Sequence, residues 1–371
     1  MVKPRDIAQL SDAVKSATSP FEPIGCGTKR ALGRVIDATP LDLSAFNKII
    51  AYEPEELILE CGAAMKLIDV QKLLKMHNQM LAFEPPDFST LLGSEHAGSI
   101  GGALMCNHSG PRRLKAGAAR DHILGVSCVN GLGEIIKAGA RVVKNVTGYD
   151  VPRLLAGSYG TFMALTSVIF KVLPAPETEQ TLHVKCKDLP QAVALMAMAL
   201  QTSAEVSAAA FVPRHGFYLR LEGIEPSVAS RHQILAKAIT IKHETLPENE
   251  SRLLWTSLRD VAPLWKSKSK SIWRVSLPPM DAPRFLASLG KVDYFCDWAG
   301  GLIWLAAEHD LDVRQHVRHG HATLFRASAD QRSNSDVFHP QPADLAALSA
   351  RVKKAFDPKG LFNPGRMYKD I

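Results

Sequence analysis

Apolar residues recur at helical spacing over residues 6–17, where Ile7, Leu10 and Val14 share a face, and over 65–77, where Leu67, Val70, Leu73 and Leu74 do so. Short apolar runs at 21–24, 35–37, 48–52 and 56–60 predict strands. Two further runs, 122–130 and 134–138, flank Gly131-Leu132-Gly133 and predict a β-hairpin. After Asn145-Val-Thr-Gly-Tyr149-Asp150 a short helix is expected at 151–156. A long β-branched run, 162–172, then closes the unit at Pro174, where a Pro-rich boundary begins.

Beyond residue 180 the pattern repeats itself. A strand at 182–186, a helix at 190–200, a strand pair at 207–213 and 216–222 and a helix at 227–239 form one series. Strand 272–277, helix 282–289, strands 292–299 and 301–306, helix 311–319 and strand 322–325 form the second. Each reads as β-α-β-β-α-β, so the region is expected to hold two ferredoxin-like halves joined by residues 247–270. Met196 and Met198 lie on the first helix and read as core. A last helix, 342–356, leads into the turn Asp357-Pro-Lys-Gly-Leu-Phe-Asn363-Pro364-Gly365. The fold class is α+β.

Composition narrows this picture only modestly. The 371 residues are 46 % apolar and 22 % charged, as in an ordinary globular protein of two or three domains. The net charge of +7 is scattered apart from 266–270 and 314–321, and no aromatic-basic interleaving accompanies it, which argues against nucleic acid. None of the six cysteines forms C-x-x-C, so no iron–sulfur or structural zinc signature exists. The polar first helix and the lack of an apolar run near ~18 residues point to a reduced, cytoplasmic protein, at most peripheral to a membrane.

The candidate chemistry lies in glycine-rich loops. Gly25-Cys26-Gly27-Thr28-Lys29-Arg30-Ala31-Leu32-Gly33 combines close backbone approach with a hydroxyl and two cations, which suits a phosphate. It is neither G-x-G-x-x-G, since Arg30 stands at the third glycine, nor a P-loop. Pro85-Pro86-Asp87 enforces a rigid extended turn. Ser99-Ile100-Gly101-Gly102, with Asn107, Ser109 and Gly110, clusters hydrogen-bonding groups among small residues in a way that suits a planar heterocycle.

In this order the loops resemble the FAD-binding domain of the vanillyl-alcohol oxidase and p-cresol methylhydroxylase (PCMH) superfamily. The resemblance runs from the G-x-G-T pyrophosphate loop through P-P-D and the T-I-G-G-like flavin loop to Gly157-Ser-Tyr-Gly160. Met163-Ala164 departs from the usual leucine and glycine. The resemblance implies a two-subdomain FAD domain at 1–174, a smaller cap at 175–335 and a segment at 336–371 that returns to the flavin. The implied FAD-binding residues are Gly25, Cys26, Gly27, Thr28, Lys29, Pro86, Asp87, Ser99, Ile100, Gly101, Gly102, Asn107, Gly110, Gly157, Gly160 and Asn363. No histidine lies in 23–33, so a dissociable FAD is expected. The D-P-x-G-x-x-N-P-G ending is similar to that of the glycolate and D-lactate dehydrogenase branch, and the chain looks most like the GlcE-type FAD-binding subunits of bacterial glycolate oxidases.

That membership implies oxidation of glycolate to glyoxylate within a complex holding a second FAD-binding subunit and an iron–sulfur subunit, with a non-NAD acceptor. A stand-alone D-lactate-like dehydrogenase and a non-catalytic assembly subunit are the alternatives. The histidine-rich cap motif of the D-lactate branch is missing, and His316, His319 and His321 read as a solvated helix end. Arg112, Arg113, Arg120 and Arg366 are candidates for a carboxylate clamp. No catalytic base and no metal ligand can be named, and whether this flavin oxidises substrate or relays electrons stays open.

Overall fold

The structure is a computed structural model that describes residues 1–141, 149–186 and 188–371. Its first unit contains α1 (Ile7–Lys15), β1 (Phe21–Ile24), β2 (Thr39–Asp42), β3 (Ile49–Glu53), β4 (Ile58–Gly62), α2 (Leu67–Met76), β5 (Gln79–Met80) and α3 (Ser89–Leu92). It continues through α4 (Ile100–Met105), α5 (Arg113–Ala116), β6 (Ile123–Val129), β7 (Ile135–Gly139), α6 (Val151–Leu155), β8 (Ala164–Lys171) and β9 (Leu173–Pro174). Five of these strands form an antiparallel sheet in the order β3-β4-β8-β6-β7. The expected hairpin is β6–β7, and the long closing run is β8, central in that sheet and almost wholly buried. Of the run 145–150 that precedes α6, residues 145–148 lie outside the described residues.

A smaller parallel pair, β1–β2, carries the first glycine loop. The strand expected at 35–37 is not there. Val35 is half exposed, and the pairing falls instead on Thr39–Asp42, where the edge position tolerates Pro40. The far end of the chain comes back beside this pair. Phe21 N–H donates to Leu361 O at 2.6 Å and Asn363 N–H donates to Phe21 O at 2.9 Å, so residues 361–363 run alongside β1.

The second unit begins with β10 (Thr178–Val184), α7 (Leu189–Leu200), β11 (Ala208–Val212), β12 (Gly216–Gly223), α8 (Glu225–Ala238) and β13 (His243–Leu246). After α9 (Glu248–Arg259) come β14 (Ser271–Ser276), α10 (Ala282–Ser288), β15 (Asp293–Asp297), β16 (Leu302–Ala307) and β17 (His321–Arg326). All eight strands form one sheet, β13-β10-β12-β11-β15-β16-β14-β17. Each half keeps the ferredoxin-like order 4-1-3-2, and the halves meet through their second strands at Phe211 and Cys296. Two details differ from expectation. Residues 311–319 make only a 3₁₀ turn, Val313–His316, because just Val313 is buried there and Arg314 is drawn back onto Asp312. The expected joining stretch 247–270 contains the full helix α9. The chain ends with α11 (Ala329–Asn334) and α12 (Ala343–Phe356).

Period-2 alternation divides this sheet between two cores. Along β16, Ile303, Leu305 and Ala307 pack with α7, α8 and α10, while Leu302, Trp304 and Ala306 face Phe88, Leu91 and Leu32 of the first unit. Met196 joins the helix-side core, whereas Met198 is 37 % exposed. The other face of the sheet is therefore a seam between the units.

Candidate functional site

The main cleft, about 840 Å³, opens where the first glycine loop, α4 and the returning C-terminal turn converge. Its floor is the loop Gly25–Arg30. Gly27 sits at φ 71°, a conformation that glycine adopts without strain. A Cβ at Gly25 would stand 2.8 Å from Ser99 Oγ, and one at Gly101 would stand 2.6 Å from the Ala63 carbonyl oxygen. Both glycines are thus required by the close approach of neighbouring atoms to the backbone. Ser99 caps α4 by accepting from Gly102 N–H at 3.2 Å.

Lys29 reaches into the cleft and donates to Ala97 O at 3.1 Å. Burial lowers its pKa and no carboxylate among the described residues is paired with it, so this ammonium is under-compensated and suits an anionic ligand. Cys26 and Cys106 also line the cleft. Burial pushes both thiols up, Cys106 to about 11, which keeps them protonated and weakly nucleophilic at neutral pH.

The far wall comes from distant sequence. Asn363 donates through Nδ2 to Tyr159 O at 2.8 Å, while its buried Oδ1 accepts nothing among the described residues. Arg366 locks this turn to the loop: it donates to Arg30 O and Leu32 O, each at 3.0 Å, and pairs with Glu22. Burial works to raise the Glu22 carboxyl, but Arg30 and Arg366 override it and hold the group below its ordinary value.

Among the residues singled out by sequence, Gly25, Cys26, Gly27, Thr28, Lys29, Ser99, Gly101, Gly102, Gly160 and Asn363 line this cleft. The others stand apart from it. Ile100 is core. Pro86 is buried, and Asp87 caps Ser89 N–H while its own N–H donates to Asp260 across the seam. Asn107 accepts from Arg120 N–H. Gly110 O accepts from Trp298 Nε1 at 3.1 Å. Gly157 makes the turn after α6 at φ 89°. Sequence reasoning missed the Ala63–Ala64 turn, Met105 and Tyr159, which complete the walls. Only Tyr159 is conspicuous, at φ 53° for a non-glycine residue, and nothing local foretells it.

The four candidate clamp arginines scatter. Arg112 pairs with Glu222 at 2.6 Å, Arg120 lies exposed beside Asp121 and Arg366 is committed to Glu22. Arg113 stacks on the Trp298 indole, 4.3 Å from its centroid. His316 meets Ser288 and His319 meets Asp281, so these histidines do not converge.

Comparison with known proteins fits this geometry. The family model described as an FAD binding domain matches residues 1–139. The chain is 32 % identical over 378 aligned positions to the glycolate oxidase subunit GlcE of Escherichia coli, covering all of both chains. It belongs to the GlcE family. The glycolate oxidase subunit GlcD of Bacillus subtilis is 30 % identical over 57 % of this chain and 43 % of its own length. Among solved structures, p-cresol methylhydroxylase matches all of this chain and 89 % of its own at TM-score 0.73 and 15 % identity, a likeness of fold.

FAD is the cofactor of this GlcE-family chain, and the residues present fit it. The orphaned Asn363 Oδ1 awaits a donor, and the Lys29 ammonium has no carboxylate partner among the described residues. Among the described residues, no helix is long and apolar enough to cross a membrane.

Proposed function

We propose that this chain is the FAD-carrying subunit of a multi-subunit glycolate oxidase, which converts glycolate to glyoxylate and passes electrons through partners to a non-NAD acceptor. The partners would be a second FAD-binding subunit and an iron–sulfur subunit. The carrying observation is the full-length correspondence with the E. coli subunit. A D-lactate dehydrogenase from Archaeoglobus fulgidus, 28 % identical across all of this chain, supports the broader class of 2-hydroxyacid oxidation by FAD.

Bound FAD supplies the two-electron acceptor, and the protein supplies binding, orientation and electrostatics. Lys29 and the bare amides of Gly25–Thr28 would hold the cofactor's anionic part. Asn363 would orient it, and the protonated state of Cys26 and Cys106 favours a cofactor held without a covalent bond. Residues 1–174 would form the FAD domain, 175–335 the cap, and 336–371 the strap that completes the cleft.

Co-expression with candidate partner subunits tests this. Glycolate should reduce an artificial acceptor, with no NAD reduction, much faster in the assembled complex than with this chain alone. Equal turnover by the isolated chain would instead establish a self-sufficient dehydrogenase.

A further inference from the structure

The seam between the two units holds two guanidiniums that make no ion pair among the described residues. Arg274 on β14 and Arg113 on α5 both lie over the indole of Trp298, with centroid distances of 5.2 and 4.3 Å, and Arg274 also approaches Trp304 at 6.0 Å. Neither side chain has a hydrogen-bond or ion-pair partner among the described residues. Other arginines of this seam are committed: Arg112 to Glu222, Arg220 to Glu84 at 2.9 Å and Arg259 to Asp260 at 2.7 Å. Both side chains are half-buried, so their unpaired N–H groups remain reachable from the seam, and setting two cations on one ring adds repulsion. Such a pair calls for an anion between units.

The surroundings narrow the choice. Asp297, the nearby acid, is spent on Trp298 N–H at 2.7 Å, and burial raises its carboxyl to about 7, so at neutral pH it is no full counter-charge. Trp298 and Ala299 hold consecutive left-handed conformations (φ 51° and 56°), strain that fixes the indole in place. His108, 5 % exposed, has both ring nitrogens unpartnered among the described residues. Its ring stands 5.1 Å from Phe88 and 5.5 Å from Phe325, on the aromatic wall that includes Trp304. On its other side is Tyr159, at 6.5 Å, which lines the flavin cleft. The cluster is therefore continuous with the cofactor site.

We propose that Arg274 and Arg113 form a carboxylate site across the seam that holds the acid group of a small 2-hydroxy acid. This rests on the hydroxyacid-oxidising reading above. Planar guanidinium forks match a carboxylate.

The test is calorimetric titration of the FAD-loaded full-length protein, without acceptor and without oxygen, using glycolate, acetate and sulfate. Wild type should bind both carboxylates more tightly than sulfate. Arg274→Gln should weaken both by at least about tenfold with flavin content unchanged, the loss expected for a charge-assisted pair. Arg113→Gln should act in the same direction, and Arg274→Lys should restore part of the binding. If Arg274→Gln does not fold, Arg113→Gln and Arg274→Lys carry the test. Unchanged carboxylate affinity in the folded variants, no carboxylate binding by wild type, or preference for sulfate would overturn the site. If glycolate binds through Arg274 yet never bleaches the flavin, even with partners present, the oxidase reading falls and the site stands. Equal bleaching in wild type and Arg274→Gln has the opposite meaning: the site falls and the oxidase reading stands.

Discussion

At the scale of single residues, the glycines of the cleft are steric requirements with measurable cost. Gly101→Ala would place a methyl 2.6 Å from Ala63 O and 2.8 Å from Ala63 Cβ. Overpacking of this kind costs about 1–3 kcal/mol, so a lower Tm and reduced flavin absorbance per mole of protein are expected. His108 makes a different prediction. Burial holds its pKa well below the ordinary value, so the unfolded chain binds a proton that the folded chain refuses. Its stabilising contribution is complete above about pH 6.5 and is lost as pH falls from there towards the depressed folded value. His108→Phe should flatten the stability loss between about pH 6.5 and 5 in denaturant titrations. An unchanged slope would mean that the imidazole is charged or hydrated in the fold. These glycines were legible in sequence because the loop chemistry is local. The isolation of Arg274 was not, since being unpaired depends on every neighbour that tertiary structure brings, or fails to bring, to it.

At the scale of elements, the repeated strand and helix pattern of the second unit predicted its two halves because most of its strands are apolar runs with buried centres, such as β12 and β16. Periodicity failed where burial is thin, at the 3₁₀ turn Val313–His316, and where pairing rather than hydropathy selects the strand, at Thr39–Asp42. Helix α12 is the clearest element whose role was hidden. It is mostly exposed, yet its Lys353 is buried and donates to Thr161 O at 2.6 Å, Asp357 Oδ2 at 2.6 Å and Phe362 O at 2.8 Å. One ammonium thus ties the last helix to both the β8 approach and the C-terminal turn. Lys353→Met leaves Asp357 buried without its cation, a loss of about 3–5 kcal/mol by the measure of broken buried pairs. Limited proteolysis should then cut within 357–371 while the second unit stays protected.

At the scale of the whole molecule, the seam is held by a buried network. Arg220 donates to both carboxylate oxygens of Glu84 at 2.9 Å, and Arg112 bridges Glu222 and Glu84. Burial alone would raise the Glu222 carboxyl, but Arg220 and Arg112 bring it down to about 2. A depressed carboxylate stabilises the fold above its unfolded value, near 4.5, and the benefit disappears as pH falls from there towards 2. Acid titration should therefore weaken the seam in that window. Glu222→Gln should show reduced pH dependence there, with lower stability at neutral pH, by near-UV circular dichroism and denaturant midpoint.

The return of residues 361–366 to β1 also sets an order of events during synthesis. Glu22 and Arg366 are 344 positions apart, yet Arg366 secures the first glycine loop and Asn363 supplies the far wall of the cleft. A ribosome that has finished the loop must still make the entire second unit before the cleft can be closed. FAD capture by the nascent chain should therefore be late and nearly all-or-none, and chains released before Arg366 should leave the ribosome colourless.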